Sequence, residues 1–556
     1  MWTLLQSPLV NSAVCIVLFT FVARFIARGY AIRQKCRKLP GAPHSMIWGH
    51  LKEMGTVAGL YPRRVHPHTY PHKIRTRHNL GSLICMDVWP INDPFIAVMD
   101  PAASQQCTVE FNTEKHPAMK PYLDKLVGPD DMISANGELW QKWRRMFNPG
   151  FSSQHLTTLI PGIVDDVLVY VENLKQHADK EEVFRLEEDT TRLTVDVIGR
   201  VILDLHFDMQ RSDNPCIEAL REQVHLLPNQ GHLNPLDMWH PYGIYRRWKN
   251  HRIMEDYIGK ILDERFARSN LKETRKERKK TVIDLALSSY MSGVEADLDD
   301  SSIDASKLRM DAAFRKGAIT QIRVCLFAGH DTTSSTMCYL FYLLQNHPEC
   351  HRRICQEHER VLGQIENTAE TIKTHPHLLN QLPYTMACIK ETLRLFPAAS
   401  APRMGDKALT LRDPKTGESY PTEGLMVWLV HHGLGRNPDV WGETVSQFDP
   451  TRFLPENAHR VPEGAWRPFE MGQRNCLGQN LALLELRIIS ALCCRVFDFE
   501  LRMDAIEELK KDGSFYARNE AFRQGPQEVE GEPLYQTLIG AAKPREGMPV
   551  AVRYQK

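Results

Sequence analysis

The residues best equipped for chemistry cluster near the C-terminal end, in Phe469-Glu-Met-Gly472-Gln-Arg474-Asn-Cys476-Leu-Gly478. Cys476 offers a thiolate. On a haem iron, such a ligand pushes electron density onto the metal and favours O–O cleavage. Gly478 and the run Gln479 to Arg487 read as the start of a helix, whose N–H groups and dipole stabilise a thiolate. Gly472 and Gly478 permit a tight turn and close approach of backbone to a macrocycle. Phe469 can pack over the sulfur and keep water away, which tunes the iron, and Arg474 can pair with a haem propionate.

A second constellation is Ala328-Gly329-His330-Asp331-Thr332-Thr333, inside a long apolar stretch. Ala328 and Gly329 leave a gap beside the iron where oxygen fits. Gly329 and the neighbouring hydroxyls can loosen the helical hydrogen-bond ladder. Asp331 and Thr332 form an acid–alcohol pair able to relay protons in a dry pocket. The succession Thr332, Thr333, Ser334, Ser335 and Thr336 opposes helix propensity, and local rules are broken this way at functional sites. A polar helix face used for packing is the structural alternative.

Taken together, these stretches resemble the cytochrome P-450 family. The decapeptide is similar to that family's haem-binding signature, and three further stretches match in order between residues 40 and about 500. The resemblance implies a role in oxygen activation for Asp331 and Thr332. Glu391 and Arg394 are, by spacing alone, an i, i+3 ion pair. The family implies more: a buried structural network joined by Arg452, since a buried charge must be paired. Trp140-Gln-Lys-Trp143-Arg144-Arg145 resembles the family's WxxxR helix. Trp140 and Arg144 share a face suited to grip a propionate, and Lys142 and Arg145 offer a basic surface to an acidic redox partner. Arg403, nine residues after Arg394, resembles another propionate-binding position. Arg323, nine residues before Thr332, is unusual for a pocket wall; it is expected to point outward rather than meet an acidic substrate group.

The resemblance implies haem b as cofactor and dioxygen as co-substrate. Electrons would come from NADPH through a separate NADPH–cytochrome reductase or a cytochrome b-type donor, because the chain carries no flavin or nicotinamide fingerprint. The product would be a hydroxylated or epoxidised lipophilic compound. Two rivals remain: an isomerase or dehydratase of the same fold acting on a peroxide, and a haem carrier or gas sensor without catalysis. The Asp331–Thr332 pair argues against both, and NADPH dependence of turnover separates the first.

The elements that must position these residues are mostly helical. Ile160, Ile163, Val164, Val167, Val171 and Leu174 repeat at helical spacing. Leu308 to His347 reads as one long buried helix stopped by Pro348. Leu83–Val88 and Phe95–Met99 flank a Pro-Ile-Asn-Asp-Pro turn and read as a hairpin, and Leu425–Val430 as another strand. Asn270 to Lys280 and Glu295 to Asp304 are charged runs read as solvated loops or helix ends. By resemblance, the pocket is lined by Phe111 to Asn136, Leu226 to Trp248, Leu326, Phe327 and Ala398 to Ala401. Trp239, Tyr242, Tyr245 and Trp248 beside Arg246 and Arg247 suit a lid touching a membrane. The fold class is therefore mainly α with a small β-sheet region, a cytochrome P-450-like fold preceded by one N-terminal transmembrane helix.

That helix is read from Leu9 to Ala27, about 28 Å long. Arg28, Arg33, Lys35, Arg37 and Lys38 follow it and place the bulk of the protein in the cytosol. A cleaved signal would carry its basic residues on the other side. The expected organisation is an anchor and basic stop over 1–38, a proline hinge at 39–43 and one catalytic domain over 44–556, at the endoplasmic reticulum membrane, single-pass. Thirteen cysteines, an odd count with no CxxC pair, argue against a disulfide framework or zinc ribbon. A formal net charge of +1 gives no support to a nucleic-acid partner.

Overall fold

The computed structural model describes residues 8–227, 241–269, 281–297, 310–518 and 525–555. Trp239, the charged run 270–280 and the bulk of the acidic run 295–304 lie outside the described residues.

Helix α1 spans Pro8–Cys36, and its Ser12–Cys36 portion is long and apolar enough to cross a membrane. It extends well beyond the expected end at Ala27, through Arg28, Arg33 and Lys35 of the basic cluster. The reason is packing. The Phe25 ring lies 4.4 Å from that of Trp89, and Arg33 is buried in an ion pair with Asp87 while donating to Trp89 O at 2.7 Å. A Cβ at Gly29 would come within 2.5 Å of the Trp89 ring. The Leu39–Pro43 segment then lies along the first sheet, with Cys85 N–H donating to Pro40 O at 3.0 Å.

Strands β1 (Leu83–Met86) and β2 (Phe95–Val98) form the antiparallel hairpin read from the sequence. Strands β3 (Ala401–Met404) and β4 (Met426–Leu429) complete a sheet of order β1-β2-β4-β3, with β4 parallel to β2. The strands β1 and β2 are buried throughout, which explains why they read as unbroken apolar runs rather than alternating ones.

The helical body carries the rest. We number the helices that matter for the site: α2 (Gly137–Phe147), α3 (Ser153–Lys180), α4 (Leu186–Leu203), α5 (Pro215–His225), α6 (Ala312–Asn346), α7 (Pro383–Leu395) and α8 (Gln479–Cys493). In α3, Ile160, Ile163, Val164, Val167, Val171 and Leu174 all face the main core. Helix α6 begins at Ala312 rather than Leu308 because the Asp311 carboxylate accepts the Phe314 N–H at 2.9 Å and caps it. It ends before Pro348, which cannot continue a helix. Near the C-terminus, β5 (Gln536–Ile539) and β6 (Ala541–Pro544) form a second hairpin. The Ser335 hydroxyl donates to Ala542 O at 2.6 Å and binds that hairpin to α6.

Candidate active site

Cys476 sits on the turn that enters α8, three residues before its first helical position, Gln479, and two before its N-cap, Gly478. The loop is closed by Cys476 N–H donating to Phe469 O at 2.7 Å and Asn475 N–H to Gly472 O at 3.2 Å. Gly472 has φ +79°, and a Cβ there would lie 2.1 Å from Thr108 O. The Phe469 ring is partly buried against the core and meets Trp466 edge-on at 5.9 Å. Glu470, at φ +57°, is clamped by His431 Nε2 at 2.7 Å and Arg467 Nη2 at 3.0 Å. Burial would raise its pKa, but His431 and Arg467 hold it well below the carboxylate range. Sequence reasoning missed this clamp; only the i, i+3 spacing of Arg467 and Glu470 hinted at it.

Cys476 is accessible at its surface, whereas the other described cysteines of the folded body are buried, or half-buried at Cys355. It nonetheless lies in a recess. Crowding by protein pushes its thiol pKa up, while the N–H groups of Gly478 and Gln479 and the charge of Arg144 pull the other way. Those are the groups that would favour a thiolate once a metal takes the sulfur.

Around the same recess the chain gathers cations with too few anions. The Arg474 guanidinium lies 4.4 Å over the Trp140 ring and donates to Ala135 O at 2.6 Å and Asn136 Oδ1 at 3.1 Å. Arg403, fully buried on β3, donates from Nη1 to Thr113 O at 2.9 Å, while its Nε and Nη2 have no protein partner. Lys115 pairs backbone to backbone with Arg403. Burial, then Arg403 and Arg474, pushes its pKa down to about 7. Arg474 is pushed down to about 10 by burial, Arg403 and Arg144. Orphaned buried guanidinium nitrogens and mutually repelling cations call for a multiply charged anion, and the two propionates of haem fit. Arg144 instead grips Asn475, one residue before Cys476, through Nη1 to O at 2.7 Å and Nη2 to Oδ1 at 2.6 Å. Lys115 carries no sequence signal of its own; only its β-bridge to Arg403 brings it here.

A thiol at a helix entrance, with a buried and partly unsatisfied arginine nearby, is matched by the sequence comparison: the model of the family described as "Cytochrome P450" covers residues 40–521. The chain belongs to the cytochrome P450 family. Among curated relatives, it is 33% identical to cytochrome P450 monooxygenase polC of Polytolypa hystricis, over 97% of this chain and 95% of that protein. It is 31% identical to cytochrome P450 monooxygenase acrF of Aspergillus aculeatus, over 89% and 99% of the two chains. Cytochrome P450 4A7 of Oryctolagus cuniculus is 29% identical over 67% of this chain and 69% of its own. This P450 is therefore an oxidoreductase of the monooxygenase class.

Helix α6 comes near the loop at Cys325, whose thiol is pushed up to about 12 by burial and then by Cys476. Between Ala318 and Leu344 all side chains are buried except those at Ala328, Gly329 and Thr332, which are half-buried. These three share one helical face and mark where α6 borders open space. Gly329 also has a packing task, since a Cβ there would lie 2.7 Å from Ile198 of α4. The ladder is not broken: α6 is helical throughout, and the Thr332 and Thr336 hydroxyls donate to Ala328 O and Thr332 O, each at 2.9 Å. Asp331 is buried, with Oδ2 accepting Ala541 N–H at 2.6 Å and Oδ1 lying 2.7 Å from Lys543 Nζ. Its carboxylate thus turns toward the β5–β6 hairpin.

The expected outward orientation of Arg323 is corrected. It is buried, with Nη2 donating to His251 O at 2.9 Å and Nη1 lying 3.1 Å from His251 Nδ1. A neighbouring helix supplies the acceptors that let an arginine stay inside. The Glu391 carboxylate receives Arg394 through two 2.7 Å bonds and lies 3.4 Å from Arg452 Nε. It also accepts Asp449 N–H at 2.9 Å. Arg394 reaches on to Val445 O at 2.7 Å. Lys142 and Arg145 are exposed on α2.

Proposed function

We propose that this P450 inserts one oxygen atom from dioxygen into a C–H or C=C bond of a lipophilic small molecule, in secondary metabolism or in lipid or xenobiotic oxidation. Haem b bound in the recess supplies the redox-active iron at which dioxygen is activated. Cys476 is its thiolate ligand, and the N–H groups of Gly478 and Gln479 hold that charge. Arg403, Arg474 and Lys115 take the propionates, relieving the cation repulsion described above, with Trp140 under Arg474. Phe469 closes the ligand loop through its carbonyl, and Arg144 braces it through Asn475. Glu391, Arg394 and Arg452 stiffen the neighbouring core. On the α6 side, Thr332 presents a hydroxyl at the open face, and Asp331 stores the proton to be passed through it.

Electrons arrive from NADPH through a separate reductase, or a cytochrome b-type donor, docking on the basic face that includes Lys142 and Arg145. Helix α1 anchors the protein in the endoplasmic reticulum membrane with the catalytic domain in the cytosol, in line with the basic cluster that follows the span. The segment Leu39–Pro43, held along the first sheet, leads from the anchor into a single catalytic domain over 44–556.

The observation that carries this reading is the accessible Cys476 thiol near Lys115, which is bridged to orphaned Arg403. Reduced, carbon-monoxide-treated protein is expected to show the Soret band diagnostic of thiolate ligation, and Cys476→Ser to lose it. A band unchanged by that substitution overturns the proposal. Product profiling by mass spectrometry, with a reductase and NADPH, then identifies the substrate.

A further inference from the structure

The surroundings of Asp331 hold more charge than a simple acid–alcohol relay requires. Lys543, on β6, lies 2.7 Å from Asp331 Oδ1 and also pairs with Glu187 in the first turn of α4. All three side chains are buried, at 8%, 1% and 3% exposure for Lys543, Asp331 and Glu187. One ammonium therefore serves two buried carboxylates, and a buried charge without a partner is costly. Glu187 has further donors in the Thr191 hydroxyl at 2.8 Å and the Tyr516 hydroxyl at 3.2 Å. Asp331 has the Ala541 N–H, and His330 Nε2 at 3.9 Å. Burial pushes the His330 pKa down, so that ring is a neutral neighbour.

Meanwhile the Thr332 hydroxyl is spent on Ala328 O, and the Asp331 carboxylate is turned to the hairpin. Beside Asp331 lies a cavity of about 20 Å³, room for about one water. It is lined by Asp331, Lys543, Glu187, Arg221 and Glu188. The last two form an ion pair that is 16% and 18% exposed. Exposure thus rises along the chain of charges from Asp331 toward solvent.

We infer that Lys543 is a positioning residue that alternates between Asp331 and Glu187. Paired with Asp331, it keeps that carboxylate parked away from Thr332. Drawn onto Glu187, it frees Asp331 to take a proton entering past Glu188 and Arg221 and to hand it to Thr332. Only O–H bonds form and break: Asp331 gains one proton from the cavity side, gives it up on the α6 open face, and returns to Lys543. The inference rests on the proposed role of Asp331 as proton store.

The test uses haem-loaded protein with its reductase, NADPH and oxygen, and needs no substrate. Each NADPH reduces oxygen either to hydrogen peroxide or, when protons are delivered on time, with a second NADPH to water. Glu187→Gln keeps hydrogen bonds but no longer competes for the ammonium, so Lys543 stays on Asp331. The peroxide-to-water ratio is expected to rise on the order of a hundred-fold, the lower edge of what a positioned proton donor contributes, and Asp331→Asn is expected to do the same. If Asp331→Asn raises it and Glu187→Gln does not, the Lys543 switch is overturned while the role of Asp331 stands. If Asp331→Asn leaves it unchanged, both fall. A second readout is independent of turnover. In Lys543→Met the infrared spectrum of the resting protein should gain a protonated-carboxyl band, because a buried acid without its cation stays neutral. The band should vanish in Lys543→Met/Asp331→Asn, and Lys543→Arg should not show it. Its absence from Lys543→Met overturns the inference.

Discussion

Arg144 holds Asn475 at two points, the backbone oxygen and the side-chain oxygen, at 2.7 and 2.6 Å. The two hydrogen bonds tie α2 to the residue before Cys476, so α2 braces the loop that carries this thiol. A planar fork is needed to reach both oxygens at once.

Arg144→Lys replaces that fork by a single point charge. The loop is expected to lose about 1–3 kcal/mol of anchoring. Haem retained per mole of protein after gel filtration should fall, with the far-ultraviolet circular dichroism unchanged. Retention equal to that of the parent protein would contradict the bracing role.

Gly472→Ala should be more disruptive. A non-glycine residue in the left-handed region costs about 1–2 kcal/mol, and its Cβ would lie 2.1 Å from Thr108 O. The loop must shift to accommodate it. The thiolate-type Soret band of the reduced carbon-monoxide complex is expected to be lost or replaced, whereas Gly417→Ala, at a turn where a Cβ meets open space, should keep it.

Glu391→Gln tests the buried charge network. Removing one partner of a buried ion pair costs about 3–5 kcal/mol, and here it leaves Arg394 with carbonyls alone. The urea midpoint of the detergent-solubilised protein should drop sharply. A midpoint within error of the parent value would mean that the carbonyl oxygens of Gly435 and Val445 suffice.

Acid stability follows from three buried histidines. Burial pushes His66, His225 and His358 down to about 3 from 6.5. Between those values the unfolded chain binds protons that the folded chain refuses. Stability is therefore lost as pH falls from about 6.5 toward 3, by about 1.4 kcal/mol per pH unit for each histidine. His358→Gln should flatten the slope of unfolding free energy against pH over that window; an unchanged slope would show that this ring is not the source.

The legible parts of the fold are those fixed by neighbours in sequence. Pro348 marks the end of α6, the turn between Leu83 and Met99 marks a hairpin, and the spacing around Cys476 marks a tight loop before a helix. What stayed hidden depends on contacts between distant segments. Lys543 lies in an unremarkable strand, and nothing within 200 residues hints that it meets Asp331. Lys115 gains meaning only through its bridge to Arg403. Arg323 read as a surface residue because an arginine inside a helix usually is one, and only the carbonyls of a facing helix allow otherwise. Gly329 read as a gap for oxygen, whereas its other use, contact with Ile198, needed the position of α4.

The unbroken course of α1 from Pro8 into its seat against Trp89 and Asp87 has a mechanical corollary. A flexible rope lets its cargo tumble at any angle to the surface it hangs from; a mast stepped into the hull does not. With Arg33 and Gly29 locked against the body, the tilt of the helix and the tilt of the haem-side recess become one variable. Bilayer thickness, which sets the lean of an apolar helix, then also sets which part of this enzyme dips toward the lipid.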